Sequence, residues 1–193
     1  MSGQINIESA LGKIIYDLSK RLDVINIVEI GTWNGEGSTQ CILNAIDNSK
    51  KFYTIESNSE WYNKAIVFNK KYTEMSNVFF LLGRIVDCDE LYTDNISSQE
   101  KNWLKQDIDN YRNISNVYNK LPANIDFLLL DGGEFSTRAE FLKLKNKSKI
   151  IALDDCNCTK NKLNMKDLKK DNSFRLLHEN LKDRNGWAIF EKL

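Results

Sequence analysis

A glycine-rich turn directly after an apolar run is the part of this sequence that best predicts ligand binding. Residues 27–39 read Ile-Val-Glu-Ile-Gly-Thr-Trp-Asn-Gly-Glu-Gly-Ser-Thr, and apolar residues at helical spacing follow. A strand, a glycine turn and a helix form the first half of a nucleotide-binding unit, because glycines let the backbone approach a ligand and the helix N-terminus offers free N–H groups. The residues expected to contact the ligand here are Gly31, Thr32, Gly35, Gly37 and Ser38.

The charge next to this turn indicates what kind of ligand it binds. The glycine spacing is G-x-x-x-G-x-G rather than G-x-G-x-x-G, and Glu29 stands two residues before the first glycine. A carboxylate at that position would repel a pyrophosphate. It favours a ligand with positive charge, such as the ammonium and sulfonium of S-adenosylmethionine, and it disfavours a nicotinamide-dependent oxidoreductase.

Glu56 is the second acid with a predicted binding role. It closes the next apolar run, 21 positions after Gly35. In nucleotide-binding α/β units an acid about 20 residues after the turn accepts hydrogen bonds from ribose hydroxyls. A surface acid at a strand end is the alternative, but its pairing with the glycine turn favours ribose binding.

Three aspartates close the fourth and fifth apolar runs, namely Asp131, Asp154 and Asp155. The carboxyl ends of parallel strands line one edge of an open sheet, so these side chains are expected to converge beside the glycine turn. Carboxylates held close together repel one another, and Mg²⁺ would relieve that repulsion. Capping of the following helices is the alternative; Asp131 is too far from Thr137 for this, whereas for the other two aspartates it stays open.

Other patterns predict local structure rather than chemistry. Thr137-x-x-Glu140 is typical of a capping box at the start of a helix. The lysine-rich run Lys160–Lys170 is interpreted as the solvated face of a helix. Cys156-x-Cys158 lacks a second ligand pair at finger-like spacing, so a structural zinc site is rejected.

Short apolar runs alternating with helical segments must position these residues. Strands are predicted at 25–30, 52–55, 78–82, 125–130 and 150–153, and helices at 7–21, 37–47, 59–72, 98–111 and 137–146. This alternation predicts a parallel sheet covered by helices on both faces. Two further runs, 174–178 and 187–190, leave no room for a crossover helix between them, so they are expected to form an antiparallel C-terminal hairpin of a seven-stranded sheet.

The size of the chain predicts a single domain over residues 1–193, with an N-terminal helical segment at 1–24. The polar stretch 91–124 is long for a connection between strands. It is interpreted as an insertion, a helix plus irregular structure that covers the site.

Composition restricts the partners and the compartment. Lysine plus arginine and aspartate plus glutamate both number 27, so charge gives no reason to expect nucleic acid or membrane as a partner. Four cysteines are few for a disulfide framework. The start Met1–Gln4 lacks the basic and apolar regions of a signal peptide, and no apolar run approaches the roughly 20 residues that span a bilayer. We therefore expect a cytoplasmic protein.

Taken in order, the segments 28–39, Glu56, 125–134 and 149–157 resemble the main motifs of class I S-adenosylmethionine-dependent methyltransferases. The Glu-x-Gly-Thr-x-x-Gly start and the acidic strand ends look closest to the small O-methyltransferases, some of which methylate sugars and phenols with a bound metal. The resemblance implies a Rossmann-like, doubly wound fold and methyl transfer to a hydroxyl of a small acceptor, such as a sugar, with Mg²⁺ as a further cofactor.

Carried over by position, the resemblance places Gly31, Gly35 and Gly37 against the methionine and ribose parts of S-adenosylmethionine. It places Glu29 near the ammonium of this cofactor and Glu56 on its ribose diol.

The same resemblance implies that Asp131, at the edge of the cofactor site, holds the metal together with Asp154 and Asp155. Those enzymes commonly have a second acid two positions after the first, as a base; here that position is Gly133, and Glu134 follows it. Glu134 and Asp155 are the candidates to accept the hydroxyl proton. Because of this departure, a methyltransferase-like domain that binds cofactor or a partner without catalysis is kept as an alternative function.

Overall fold

A computed structural model describes residues 5–93 and 96–193. The strands are β1 Asn26–Ile30, β2 Lys51–Glu56, β3 Val78–Leu82, β4 Ile125–Leu130, β5 Ser148–Asp154, β6 Phe174–Asn180 and β7 Trp187–Lys192. The helices are α1 Ala10–Lys20, α2 Ser38–Leu43, α3 Ser59–Phe68, α4 Lys70–Thr73, α5 Ser98–Arg112, α6 Thr137–Leu144 and α7 Thr159–Lys170. Short 3₁₀ turns lie at Cys88–Glu90, Tyr118–Lys120 and Lys145–Lys147.

The seven strands form one sheet in the order β3-β2-β1-β4-β5-β7-β6. Strands β1 to β5 pair in parallel, and β7 runs antiparallel to both β5 and β6. The predicted mostly parallel, seven-stranded sheet with an antiparallel C-terminal hairpin is confirmed. The chain leaves β1 toward β2 and β3 and later returns to β1 on its other side with β4, which makes the β1–β4 boundary a topological switch point.

The central strands are buried on both faces, and their side chains alternate between two apolar cores. Ile27 and Leu129 belong to one core, together with side chains of α1 and α2. Val28 and Leu130 belong to the other, together with side chains of α5, α6 and α7. The period of two residues along each strand therefore explains why these runs are apolar throughout, and the prediction of helices on both faces is confirmed.

Asn69 divides the predicted helix 59–72 into α3 and α4. Its side-chain amide donates to the carbonyl oxygens of Gly35 at 3.2 Å and Ala65 at 3.0 Å, and its amide oxygen accepts from the Gln40 side chain. A helix-interrupting asparagine thus ties the glycine turn to the end of α3. The predicted helix 37–47 is also shorter than expected and ends at Leu43.

The predicted capping box at Thr137 and Glu140 is wrong. Ser136, not Thr137, precedes the first residue of α6, and no side chain caps this helix end. The Thr137 hydroxyl instead donates to the Gly133 carbonyl oxygen at 2.7 Å. Glu140 is consequently free to point into the interior, where it is 2% exposed.

Two expectations concern residues outside the described ranges. Met1–Gln4, on which the prediction of no signal peptide rests, is not described, and neither are residues 94 and 95 of the predicted 91–124 insertion. Among the described residues, the helices are all too short or too polar to cross a bilayer.

Candidate functional site

Two adjoining cavities lie at the carboxyl ends of the central strands, at the switch point of the sheet. The first has a volume of about 430 Å³ and the second about 240 Å³. Gly31, Trp33 and Asp131 line both of them, so the two cavities form one continuous cleft. Open α/β sheets bind ligands at this place, because no helix covers the strand ends there.

The backbone is strained at this cleft. Within the described ranges, three residues other than glycine have a positive φ: Trp33 at 49°, Asp155 at 57° and Arg184 at 54°. All three line the second cavity. Such conformations cost about 1–3 kcal/mol each and cluster at functional sites, so their coincidence here marks the cleft as the candidate site.

The glycine turn forms the floor of the cleft, but its three predicted glycines have different positions. Gly31 has a φ of 96°, and a Cβ there would lie 2.2 Å from the Asp131 carbonyl oxygen. Gly31 lines both cavities and Gly37 the second one. Gly35, with a φ of 76°, is buried against Asn69 and Ala65 and lines neither cavity. Its role is to let the turn pack closely on α3.

We expect the Gly31→Ala substitution to lower the free energy of unfolding by about 2 kcal/mol, because it combines a disfavoured φ with a backbone clash. Urea unfolding followed by circular dichroism measures this. Gly133→Ala is the matched control, since a Cβ there would meet only the ends of the Ser136 and Asp107 side chains, at 3.1 and 3.4 Å. Equal losses in both variants would contradict the assignment.

Glu29 lies beneath the turn rather than in the cleft. Its carboxylate is completely buried and accepts hydrogen bonds from the hydroxyls of Ser38 at 2.6 Å, Thr39 at 2.7 Å and Thr54 at 2.7 Å. Burial raises the pKa of Glu29 to about 7 in spite of these hydrogen bonds. Ser38 itself lines the second cavity, as does Thr32, whose hydroxyl shares a hydrogen bond of 2.5 Å with that of Thr54. Direct contact between Glu29 and a ligand stays a prediction.

Glu56 lies on the wall of the first cavity, where the sequence placed a ribose-binding acid. One carboxylate oxygen accepts from the Trp33 N–H at 2.7 Å and the other from the Asn58 N–H at 2.8 Å, so the side chain is held in one orientation. Burial raises its pKa. The rings of Trp33 and Trp61 lie beside it with centroids 5.0 Å apart and supply the apolar part of the wall.

Two further acids that line the first cavity were missed by the sequence analysis. Asp107 of α5 and Glu140 of α6 both line the first cavity. Burial raises the pKa of Asp107 to about 6 and that of Glu140 to about 7. One Glu140 oxygen accepts from the Tyr111 hydroxyl at 3.2 Å, while the other has no hydrogen-bond partner among the described residues. A signal for Asp107 existed, since it lies on the same helix face as the apolar residues Leu104, Ile108 and Tyr111, which follow helical spacing in a largely polar helix.

The three predicted metal ligands do converge. One carboxylate oxygen from each of Asp131, Asp154 and Asp155 lies within 4.8 Å of the others, at the boundary of the second cavity. Two cations already contact this cluster. The Lys160 ammonium lies 2.5 Å from Asp131 and 2.9 Å from Asp155, and Arg184 pairs with Asp154.

The interpretation of Lys160 as part of a solvated helix face is therefore wrong, since it is 6% exposed. Burial disfavours its ammonium, but Asp131 and Asp155 outweigh burial and raise its pKa. Burial likewise acts to raise the pKa of Asp155, yet the Lys160 charge and hydrogen bond bring it below its ordinary value. Asp154 differs: burial, with the neighbouring charges of Asp131 and Asp155, raises its pKa to about 7.

Glu134, the other predicted proton acceptor, lies behind the cleft wall. Its carboxylate accepts from the Lys160 backbone N–H at 3.0 Å, and burial raises its pKa. Among the residues that line the two cavities, Asp155 is present and Glu134 is not. The two candidate bases thus differ, because Asp155 lines the cleft and has a lowered pKa, whereas Glu134 does not line it and has a raised pKa.

Neither a family model nor a curated protein matches this sequence. Solved structures do match in three dimensions. An O-methyltransferase from Bacillus cereus, in complex with SAH, has a TM-score of 0.67 and 15% identity over 97% of this chain and 83% of that one. The O-methyltransferase TomG from Streptomyces achromogenes, involved in tomaymycin synthesis and in complex with SAM, has a TM-score of 0.65 and 14% identity over 97% and 82%.

A methyltransferase from Geobacter sulfurreducens is similar as well, with a TM-score of 0.61 and 14% identity over 98% of this chain and 82% of that one. Identities this low establish the architecture and leave the chemistry to be argued from the site. The chain has the Rossmann-like fold of these methyltransferases.

Proposed function

We propose that this chain is an S-adenosylmethionine-dependent methyltransferase that transfers the methyl group to a hydroxyl of a small acceptor. The observation that carries the proposal is an acid-lined cleft at the switch point of a methyltransferase fold. Four carboxylates line the first cavity, those of Glu56, Asp107, Asp131 and Glu140. S-adenosylmethionine carries an ammonium and a sulfonium, so this wall complements the charge of the cofactor.

The same charge argues against a nicotinamide cofactor. A pyrophosphate in the first cavity would face these carboxylates in a partly buried environment, where repulsion is stronger than in water. Arg84 is the one basic residue among the described residues that line this cavity. Its guanidinium is already engaged by the carbonyl oxygens of Tyr111 and Val86 and by Asp87, so it offers little compensation.

The shape of the cleft supports a division of the cofactor between the two cavities. We assign the adenosine part to the first cavity. There Glu56 would accept hydrogen bonds from the ribose hydroxyls, and Trp33 and Trp61 would contact the apolar surface of the adenosine. We assign the methionine part to the junction at Gly31 and Asp131. This placement leaves the second cavity, with Ser38 and Asn185 on its wall, for the acceptor.

When bound, the cofactor would supply an already activated methyl group. The remaining work of the protein is to align the acceptor hydroxyl in line with that methyl group and to take the hydroxyl proton. Asp155 lines the second cavity and can orient the hydroxyl through a hydrogen bond. The lowered pKa of Asp155 makes it the weaker base of the two candidates, and the raised pKa of Glu134 makes that carboxylate the stronger one. Because a general base must reach the proton it takes, and Asp155 lines the second cavity whereas Glu134 lines neither, we assign both orientation of the hydroxyl and acceptance of its proton to Asp155.

The acceptor is proposed to be a small hydroxylated metabolite, such as a sugar. The volume of about 240 Å³ and the polar side chains of Ser38, Arg184 and Asn185 support this class. Such groups satisfy several hydroxyls at once, as a sugar requires. The neighbouring structures named as O-methyltransferases support the choice of a hydroxyl over other acceptor atoms.

Calorimetry with S-adenosylmethionine tests the proposed function. The Glu56→Ala substitution is expected to weaken binding about 10- to 100-fold, because it removes a charged acceptor already fixed in the cavity wall. The matched control is Glu60→Ala, an exposed acid four residues away whose side chain pairs with Lys64 at the surface. The control should bind with unchanged affinity.

Three outcomes separate the alternatives. No heat with S-adenosylmethionine, together with binding of a nicotinamide dinucleotide, would overturn the proposal in favour of an oxidoreductase. Tight binding without methyl transfer to any of a panel of sugars and phenols would favour the non-catalytic, methyltransferase-like binding domain. Binding together with formation of the demethylated cofactor would support the methyltransferase.

A further inference from the structure

We propose that the Lys160 ammonium takes the place that a divalent cation would have among Asp131, Asp154 and Asp155, so that this site works without a bound metal. The proposal deepens the proposed function, because it concerns the same cleft. It also departs from the expectation, drawn from the sequence resemblance, that these aspartates hold Mg²⁺.

The first support is the position of Lys160. Its nitrogen lies 2.5 Å from Asp131 Oδ1 and 2.9 Å from Asp155 Oδ2, and its side chain is 7% exposed. A metal shared by these two carboxylates would need an oxygen of each at a distance of about 2 Å, and the ammonium already occupies one oxygen of each. Lys160 and a metal would therefore compete for the same two carboxylates unless the lysine leaves.

The structure also opposes departure of the lysine. Lys160 belongs to the first turn of α7, and the next residue fixes that turn against the sheet. The buried Asn161 side chain donates to the carbonyl oxygens of Leu130 at 3.0 Å and Asp154 at 2.6 Å, the last residues of β4 and β5. The Lys160 backbone N–H donates to Glu134 as well. Helix α7 thus holds the ammonium beside the strand ends rather than letting it swing into solvent.

The charges of the cluster give a second, independent support. When all three aspartates are ionised, their carboxylates face two fixed cations, since Arg184 pairs with Asp154 while Lys160 pairs with the other two aspartates. The excess is one negative charge, which suits a cationic cofactor in the adjoining cleft. An added divalent ion would change the net charge of the cluster from negative to positive. It would also lie close to the Lys160 ammonium, and both effects oppose its binding.

The unpartnered polar atoms at the cluster do not require a metal either. Asp154 Oδ1 and Arg184 Nη1 are buried and have no hydrogen-bond partner among the described residues. They are the acceptor and the donor of one ion pair, whose other two atoms already meet. A bidentate arrangement of the same pair satisfies both, as arginine and carboxylate commonly do.

Mn²⁺ alone, titrated without cofactor and followed by its paramagnetic resonance signal, tests the proposal, because carboxylate sites that take Mg²⁺ also take Mn²⁺. The wild-type protein should show no site that depends on Asp131. The Lys160→Ala variant should gain one, binding Mn²⁺ about tenfold or more tightly than wild type, because Asp131 and Asp155 then lack their lysine. Lys162→Ala, an exposed lysine on the same helix, is the matched control and should behave as wild type.

The gained site is located by adding Asp131→Asn to Lys160→Ala, which should abolish it. If Lys160→Ala does not fold by circular dichroism, Lys160→Met keeps most of the side-chain volume and replaces it in the titration. The proposal is overturned if wild type binds Mn²⁺ as tightly as the lysine variant and Asp131→Asn removes that binding. It is equally overturned if a folded lysine variant gains no site.

This test is independent of the proposed function. The Mn²⁺ titration requires neither S-adenosylmethionine nor an acceptor, whereas the calorimetry with Glu56→Ala requires no metal. A failed calorimetric experiment would therefore leave the role of Lys160 standing, and a metal-binding wild-type protein would leave cofactor binding standing.

Discussion

Replacing Glu140 with glutamine is expected to raise the free energy of unfolding at pH 8 by about 2–3 kcal/mol and to change it little at pH 5. Burial raises the pKa of Glu140 from 4.5 to about 7. Between these values the native carboxyl holds a proton that the unfolded chain releases. Stability contributed by this group is therefore lost as pH rises from about 4.5 to 7, and glutamine, which has no such proton, escapes the loss.

Glutamine also fits the surroundings of Glu140. It keeps an acceptor for the Tyr111 hydroxyl, and its amide N–H₂ replaces the oxygen that has no partner among the described residues. Urea unfolding of both proteins at the two pH values gives the difference. Glu74→Gln, at an exposed acid, is the control and should change stability equally little at both. A gain for Glu140→Gln that is the same at pH 5 and pH 8 would contradict the explanation.

The same substitution should weaken cofactor binding, which explains why an unfavourable buried acid stands at this position. The unpartnered Glu140 oxygen belongs to a side chain of the first cavity wall, where it can accept from an N–H group of a ligand. Glutamine would present a donor instead. Higher stability together with weaker cofactor binding is the result expected when a residue contributes to function at a cost in stability.

The sequence predicted those parts of the fold and the site that follow from patterns along the chain. It did not predict the parts that depend on contacts between residues far apart in sequence. The positions of the strands along the chain follow from their apolar runs. Side chains alternate between the two faces of a sheet, so a strand that is buried on both faces must be apolar throughout. The acids at the strand ends were predicted for the same reason. Asp131 comes directly after β4 and Glu56 is the last residue of β2, and parallel strands end at one edge whatever the details of the packing.

Residues that reach the cleft from helices could not be predicted in the same way. Lys160 stands in a run of exposed lysines, and only its contact with Asp131, 29 positions away in sequence, distinguishes it. Glu140 fits a local capping pattern equally well, and tertiary packing decided against that pattern. Asp107 lies in a largely polar helix, where the apolar stripe of Leu104, Ile108 and Tyr111 marks the docking side but does not show that this side borders a cleft.

Glu29 shows a third situation, in which residue type and position were recognised but the partners were not. Ser38 and Thr39 are close to it in sequence, whereas Thr54 comes from the neighbouring strand β2. Three hydroxyls from two elements, α2 and β2, converge on one carboxylate only because β1 and β2 pair in the register that sets Glu29 opposite Thr54. Sequence spacing alone could not show that register.

We expect Glu29→Ala to lower the free energy of unfolding by about 4 kcal/mol, since it leaves three buried hydroxyls without their acceptor and opens a cavity beneath the turn. Glu29→Gln should cost about 1–2 kcal/mol, because its amide oxygen still accepts and the hydroxyls can reorient. Glu36→Ala, at an exposed acid of the same turn, is the control for urea unfolding.

Cofactor affinity of the folded Glu29→Gln variant then separates the two roles of this carboxylate. If Glu29 binds the cofactor ammonium directly, as the sequence resemblance implies, loss of the charge should weaken binding about tenfold or more. If Glu29 instead fastens the turn to the start of α2, affinity should follow stability and change little. Its complete burial beneath the hydroxyls of Ser38 and Thr54 favours the second outcome, because a ligand in the second cavity meets those hydroxyls and the turn before it can reach the carboxylate.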